Sequence, residues 1–395
     1  MNLYTHITIH PLASSTREMH YLLFCNGQYY EVSYPIVELI MELQHKTTKE
    51  EAIASYIEIK NGKYTTEQVV HIIDKLITPI LIDKKSKKHT FLWEKELFSA
   101  SNIDKFSNAF RFLFNKVYIW LVFTVMLLMD IYFFSSTEAL LVFNNTVSIY
   151  TIIGVLIFIL ISSFFHELGH ASACKYFGIK HGGIGFGLYL NFPVLYTDVT
   201  EIWKLNRKQR LVVNIAGVYF QSMGLIGLLT GFLVTGNDML RYLILIINFG
   251  FLMTLNPFFK FDGYWIMSDL LGVTNLRSRS KELILYIYKR IRRQTVGQKP
   301  YLLQICTIEK YGLLLYSIVV NIFMGMYFFY IIPMFSYRFI YSFPKEIQEL
   351  ILSLSNNITP SFALLRNISM QLLFLTLLGF FFIKLIQSLK KHVKS

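Results

Sequence analysis

A chain of 395 residues is long enough for two or three soluble domains, yet 54% of it is hydrophobic and only 16% is charged. So few charges cannot cover a soluble surface, which makes a membrane protein the expected class. Three widely spaced cysteines, Cys25, Cys174 and Cys306, exclude a disulfide framework and a paired thiolate metal site. The net charge of +13 fits cytoplasmic membrane-flanking loops better than a nucleic-acid partner.

Residues 1–100 read as a small α+β soluble domain, and their mixed composition argues against a cleavable signal peptide. In "HYLLFCNGQYYEVSYP" the pair Asn26-Gly27 separates two strand-like runs, a strong hairpin signal. Short helices are expected over Pro35–Leu43, Thr48–Ile57 and Thr65–Ile77. The second opens on the capping pattern Thr48-x-x-Glu51, and the third carries Val69, Val70, Ile73 and Leu76 at helical spacing. "DKKSKKH" (Asp83–His89) is a charged linker, Phe91–Phe98 is strand-like, and residues 101–116 form an amphipathic linker helix with Phe106, Phe110 and Leu113 on its apolar side.

About six membrane spans follow: Val117–Phe134, Ile149–Phe165, Leu211–Val234, Leu240–Phe258, Tyr311–Phe335 and Leu372–Leu389, each near the roughly 20 residues a bilayer needs. Lys and Arg are missing from Ser135–Ser148 and Thr235–Met239 but abundant in "WKLNRKQR" (Trp203–Arg210), in the basic loop 272–310 and in the tail "KKHVKS". The long loop Ser336–Ser369 votes weakly. This pattern implies a multi-pass protein of the cell membrane with both termini cytoplasmic. It also brings the end of the second span and the residues after Leu255 to the same side.

Those two places hold the chemistry. "FFHELGHASACKYFG" (164–178) places His166 and His170 four apart, hence one turn apart on one helix face. Two imidazoles so spaced can grip one Zn²⁺, with Glu167 beside them as general base. The alternative is a helix end that has already reached headgroups and water. In "TLNPFFKFDGYW" (254–265) the only acid is Asp262, a candidate third ligand. Pro257 breaks the helix before it, and Gly263 allows a tight turn behind it. "HGGIGFGLYLNFPVLYTDV" (181–199) reads as a hairpin whose edge can pair with an extended substrate. His181 as a fourth ligand and Asp198 as a partner of a zinc histidine are weaker readings than turn or interface roles, and Trp203, Tyr264 and Trp265 read as interface anchors.

His166-Glu167-Leu168-Gly169-His170 together with Asn256-Pro257 and Asp262-Gly263 resembles the intramembrane zinc metalloproteases of the site-2 protease class. Phe259 and Phe261 stand where that family has proline and leucine, and "NIAGVYFQ" (214–221) has Val218 and Gln221 where it has proline and asparagine. The resemblance covers about residues 149–271 within a core domain of 117–271, with 311–395 as C-terminal helices and tail. It implies a site-2 protease-like core, one Zn²⁺ per chain held by His166, His170 and Asp262, catalysis by Glu167, and substrate contact by Asn256.

More narrowly, "YLNFPVLYTDVTEIWKLNRKQRLVVNIAG" and "KFDGYW" resemble the peptide zinc metalloproteases of bacterial peptide-maturation clusters, and the N-terminal domain resembles PqqD-like winged-helix domains that bind leader peptides. The implied partners are a peptide or transmembrane-segment substrate, a leader peptide and the lipid bilayer. A catalytically silent peptide-binding immunity or export partner is the alternative function.

Overall fold

The computed structural model describes residues 3–15, 19–82, 93–137, 140, 149–189, 192–294, 300–305, 307–356, 358–361, 363–372, 374–376, 379 and 383. At the N-terminus, strands β1 (Thr8–Leu12), β2 (His20–Cys25) and β3 (Gln28–Ser33) form an antiparallel sheet in that order. The β2–β3 hairpin turns on Asn26 (φ 50°) and Gly27 (φ 76°), both left-handed, as a type I′ turn requires. Strand β1 escaped the sequence reading because Pro11 argues against a strand. It is tolerated because β1 lies at the sheet edge.

Helices α1 (Tyr34–His45), α2 (Lys49–Ile59), α3 (Thr66–Ile72) and α4 (Thr78–Ile82) follow. Thr48 Oγ1 accepts from Glu51 N at 3.2 Å, and Thr65 and Gln68 complete a capping box on α3. Ile7, Leu23, Val37, Ile40, Leu43, Ile53, Tyr56, Val69 and Ile73 make the core of this domain. The predicted inward residue Leu76 is exposed, and Ile77 is buried in its stead. Between α3 and α4 the backbone widens into a π turn over Ile73–Ile77, and the extra residue in that turn rotates the buried face by one position. The linker Asp83–His89 lies outside the described residues, as do Phe91 and Leu92.

Strand β4 (Glu94–Phe98) leads into α5 (Ala100–Phe110) and a 3₁₀ turn over Arg111–Phe114. The buried side of this linker is Ile103, Ser107 and Phe114, whereas Phe106 faces outward. Helices α6 (Lys116–Ser136), α7 (Ile149–Tyr176), α8 (Arg207–Thr235) and α9 (Asp238–Thr254) form the helical core, with β5 (Ile184–Tyr189) and β6 (Phe192–Thr197) between α7 and α8. Asn206 and Gln209 form the capping box that starts α8, and Gly236 (φ 63°) ends it. After α9 come α10 (Asp262–Leu271), α11 (Leu276–Ile291), α12 (Thr307–Met326) and α13 (Ile332–Ser355).

Among the described residues four helices are long and apolar enough to cross a membrane: Lys116–Ser136, Ile153–Tyr176, Arg207–Thr235 and the continuous rod Ile308–Ser355. These include four of the six expected spans. Helix α9 has 17 residues, about 25 Å at 1.5 Å per residue, and the Leu372–Leu389 span and basic tail fall largely outside the described residues. The predicted loop Ser336–Ser369 is instead helical through Ser355. Hydropathy separates lipid from water, and Arg338, Lys345, Glu346 and Glu349 are as good in a helix as in a loop.

The N-terminal domain packs on the α8–α10 junction through polar contacts. Arg210, nearly fully buried, gives Nε to Asp269 Oδ1 at 2.6 Å and reaches Leu205 O and Ala13 O. Asn214 Nδ2 donates to Asp269 Oδ2 at 2.8 Å. Arg207 donates to Asp269 O, Leu270 O and Ser15 Oγ, and Ser15 Oγ donates to Leu271 O. At the sheet, Glu31 accepts from Thr274 Oγ1 at 2.6 Å and lies 2.9 Å from His20 Nδ1. Burial tends to raise the Glu31 carboxyl, but His20, Thr274 and the Arg279 charge outweigh it and hold it below the usual value.

Candidate metal centre

His166 and His170 sit on consecutive turns of α7, so their rings lie on one face of the helix. Two glycines, Gly217 of α8 and Gly169 of α7, let the helices meet there. A Cβ on Gly217 would stand 2.3 Å from the His166 ring, and one on Gly169 would stand 2.4 Å from Ala216 O. Helix α9 ends before Pro257, and the chain turns so that Asp262 opens α10 beside the histidines. Gly263 is needed here for a different reason than the turn the sequence suggested. Its φ is not left-handed, but a Cβ would lie 2.0 Å from Leu255 O.

Asp262 Oδ2 lies 3.0 Å from His166 Nε2 and 3.2 Å from His170 Nε2, and the two Nε2 atoms are 3.1 Å apart. The three form a possible metal-ligand group among the described residues. Their opposite ring nitrogens are occupied: His170 Nδ1 is 2.7 Å from Val213 O, and His166 Nδ1 is 3.1 Å from Gln221 Oε1. A backbone carbonyl only accepts, so His170 Nδ1 donates to Val213 and, in the neutral ring, its Nε2 keeps a lone pair. Asp262 Oδ2 is buried without a hydrogen-bond partner of acceptable geometry, although it stands at contact distance from both rings. Two lone pairs and a carboxylate oxygen converging on one point repel each other unless a cation joins them. Ligands at about 2.1 Å from a tetrahedral zinc stand about 3.4 Å apart, close to the separations here. The donor set fits Zn²⁺.

Glu167 is buried on the same turn as His166 and lies near enough to His170 for its charge to act on that ring. Its backbone oxygen accepts from Thr197 Oγ1 of β6 at 3.3 Å. Asn256 uses Oδ1 to accept from Phe258 N at 2.8 Å across Pro257, an Asx turn that shapes the approach to Asp262. A pocket of about 330 Å³ lined by Leu255, Asn256 and Pro257 opens there.

His181 is not at this centre. Its Nε2 lies 3.1 Å from Asp104 Oδ1 and 3.1 Å from Ser107 Oγ, and its Nδ1 2.7 Å from Gly182 O, which ties the hairpin to α5. Asp198 binds Thr200 N, and its carbonyl accepts from Gly182 N, so it is a turn residue. Trp203 lies edge-on to Trp265 and under Arg210, in the docking region of the N-terminal domain. Tyr264 is buried in the α10–α12 core, so it does not anchor an interface.

The expected hairpin is present as β5 and β6, and β4 joins it to give the order β4-β5-β6. Leu188 N donates to Trp93 O, away from β6, so the pair Leu188↔Pro193 is not hydrogen-bonded. Alternation along an antiparallel ladder then turns the backbone groups of Leu195 and Thr197 outward. Among the described residues, strand β6 thus has no strand paired on its outer edge, which lies beside the helix of Glu167.

The "Putative peptide zinc metalloprotease protein YydH" of Bacillus subtilis (strain 168) is 25% identical to this chain over 122 residues, 30% of this chain and 48% of that protein. The chain therefore spans about half the length of the curated relative it matches. No family model matches the chain, and no solved structure does.

Proposed function

We propose that the chain is a membrane-embedded zinc metalloprotease of the site-2 protease type, hydrolysing a peptide bond of a membrane-associated or ribosomally synthesised peptide. The observation that carries this reading is the convergence of His166 Nε2, His170 Nε2 and Asp262 Oδ2 at 3.0–3.2 Å beside Glu167. The distant relationship to a protein named a zinc metalloprotease supports it. Bound Zn²⁺ would polarise a scissile carbonyl and lower the pKa of a water toward 7. Glu167 takes the proton of the attacking water and passes it to the leaving amine. Asn256, whose Oδ1 is committed to Phe258 N, has its amide N–H left to donate to the substrate.

A helix hides its carbonyls, so the substrate must be extended to be cut. The open edge of β6 at Leu195 and Thr197 suits an added substrate strand, and Thr197 ties that edge to the turn of Glu167. The three strands and following helices of residues 1–100 are proposed as a PqqD-like winged-helix domain that takes a leader peptide. The long apolar helices and the Lys/Arg distribution support reading the protein as a multi-pass chain of the cell membrane with both termini cytoplasmic.

The test is cleavage of candidate precursor peptides by the full chain in liposomes. Glu167→Gln is expected to lower the rate by roughly 10²–10⁴-fold while retaining about one zinc per chain. Equal processing by the variant and the wild type would remove Glu167 from the mechanism. No processing by either, with zinc bound, would favour a silent peptide-binding partner.

A further inference from the structure

We infer that Gln221, anchored by Ser162, is the positioning residue that fixes which nitrogen of His166 faces the metal; the inference rests on the zinc reading above. Gln221 Nε2 lies 2.8 Å from Ser162 Oγ and 3.4 Å from Ser162 O. A backbone carbonyl cannot donate, so the amide NH₂ must face Ser162 and Oε1 must face His166. At 3.1 Å that oxygen can only accept, so His166 Nδ1 carries the proton. The lone pair of the neutral ring then lies on Nε2, the atom that faces Asp262 and His170.

The two histidines reach the same tautomer by different means. His170 is held by a backbone carbonyl, Val213 O, which no substitution removes. His166 depends on one side chain. Ser162 lies one turn before His166 on α7, and Gly217 one turn before Gln221 on α8. The ring therefore lies over the bare backbone of Gly217 with the amide at its rim. Gln221 and Ser162 also line a pocket of about 400 Å³ whose other walls are apolar, among them Phe158, Ile161, Phe165 and Phe220. In such surroundings a hydrogen bond is strengthened, and an amide without its partner is costly to keep. Asparagine, one methylene shorter, would leave His166 or Ser162 unreached, which gives a physical reason for glutamine here.

The experiment measures zinc affinity of detergent-solubilised full-length protein by competition with a chromophoric chelator, with Co²⁺ absorption as a second readout of ligand geometry. Gln221→Leu keeps the bulk and removes the acceptor, and is expected to weaken zinc binding about 10–100-fold and to alter the Co²⁺ spectrum. Gln221→Glu keeps an acceptor and is expected to bind within a few-fold of the wild type. Ser162→Ala, which frees the amide without touching its contact to His166, is expected to weaken binding to an intermediate degree. Zinc held by Gln221→Leu within twofold of the wild type, with an unchanged Co²⁺ spectrum, would overturn the role of Gln221 and leave the zinc reading standing. A wild-type protein that binds no zinc would overturn both.

Discussion

His166 occupies space that a side chain at position 217 would otherwise fill, so the candidate metal centre depends on an atom that is missing as well as on those present. Gly217→Ala would set a Cβ 2.3 Å from the ring, and the ring must move or the helices must part. Zinc content is expected to fall well below one per chain in this variant. Gly224→Ala, on the same helix with nothing within 4 Å, is expected to keep it, and equal zinc in both would show that α7 and α8 can spread without losing the site. The candidate ligands His166, His170 and Asp262 were named from spacing and chemistry, and the fold brings them together. The glycine's reason was not, because a close approach between helices leaves no periodic trace in sequence.

Helix α10 carries Asp262 at its first position and Asp269 seven residues on, on the same face. The first meets the histidines, and the second meets Arg210 and Asn214. The buried Arg210–Asp269 pair thus pins the element that presents the proposed third ligand, and the contacts of Ala13 and Ser15 bring the N-terminal segment onto the same joint. Asp269→Asn would leave a buried guanidinium uncompensated, a change that costs roughly 3–5 kcal/mol. Thermal unfolding in detergent is expected at a clearly lower temperature, and zinc binding is expected to weaken although no ligand is altered. A variant with unchanged zinc affinity would mean that Asp262 is held without this clamp. In sequence, Arg207 and Arg210 counted only as cations of a cytoplasmic loop; packing shows that they also hold the N-terminal segment against α10.

At the scale of the molecule, the N-terminal domain, the start of α8, the end of α7 and helix α10 all lie at one end of the helical core. The charge pattern is the basis for proposing that this end faces the cytoplasm. In a background lacking Cys25, Cys174 and Cys306, a single cysteine at Asn237 is expected to react with an impermeant thiol reagent on intact cells, and one at Lys204 only after permeabilisation. The reverse pattern would invert the orientation. What could be read without coordinates was whatever local chemistry writes along the chain. That covers the Asn26-Gly27 hairpin, the caps of α2 and α3, the apolar runs, and the two histidines and the acid as candidate ligands. What needed the fold was whatever arises between segments far apart in sequence. That includes β4 joining the β5–β6 hairpin, the face shift at Ile73–Ile77, the unbroken rod from α12 into α13, the Gln221 amide on His166 and the Arg210–Asp269 clamp. Periodicity reports how a segment meets its surroundings on average, whereas these features depend on which particular neighbour the packed chain brings into contact.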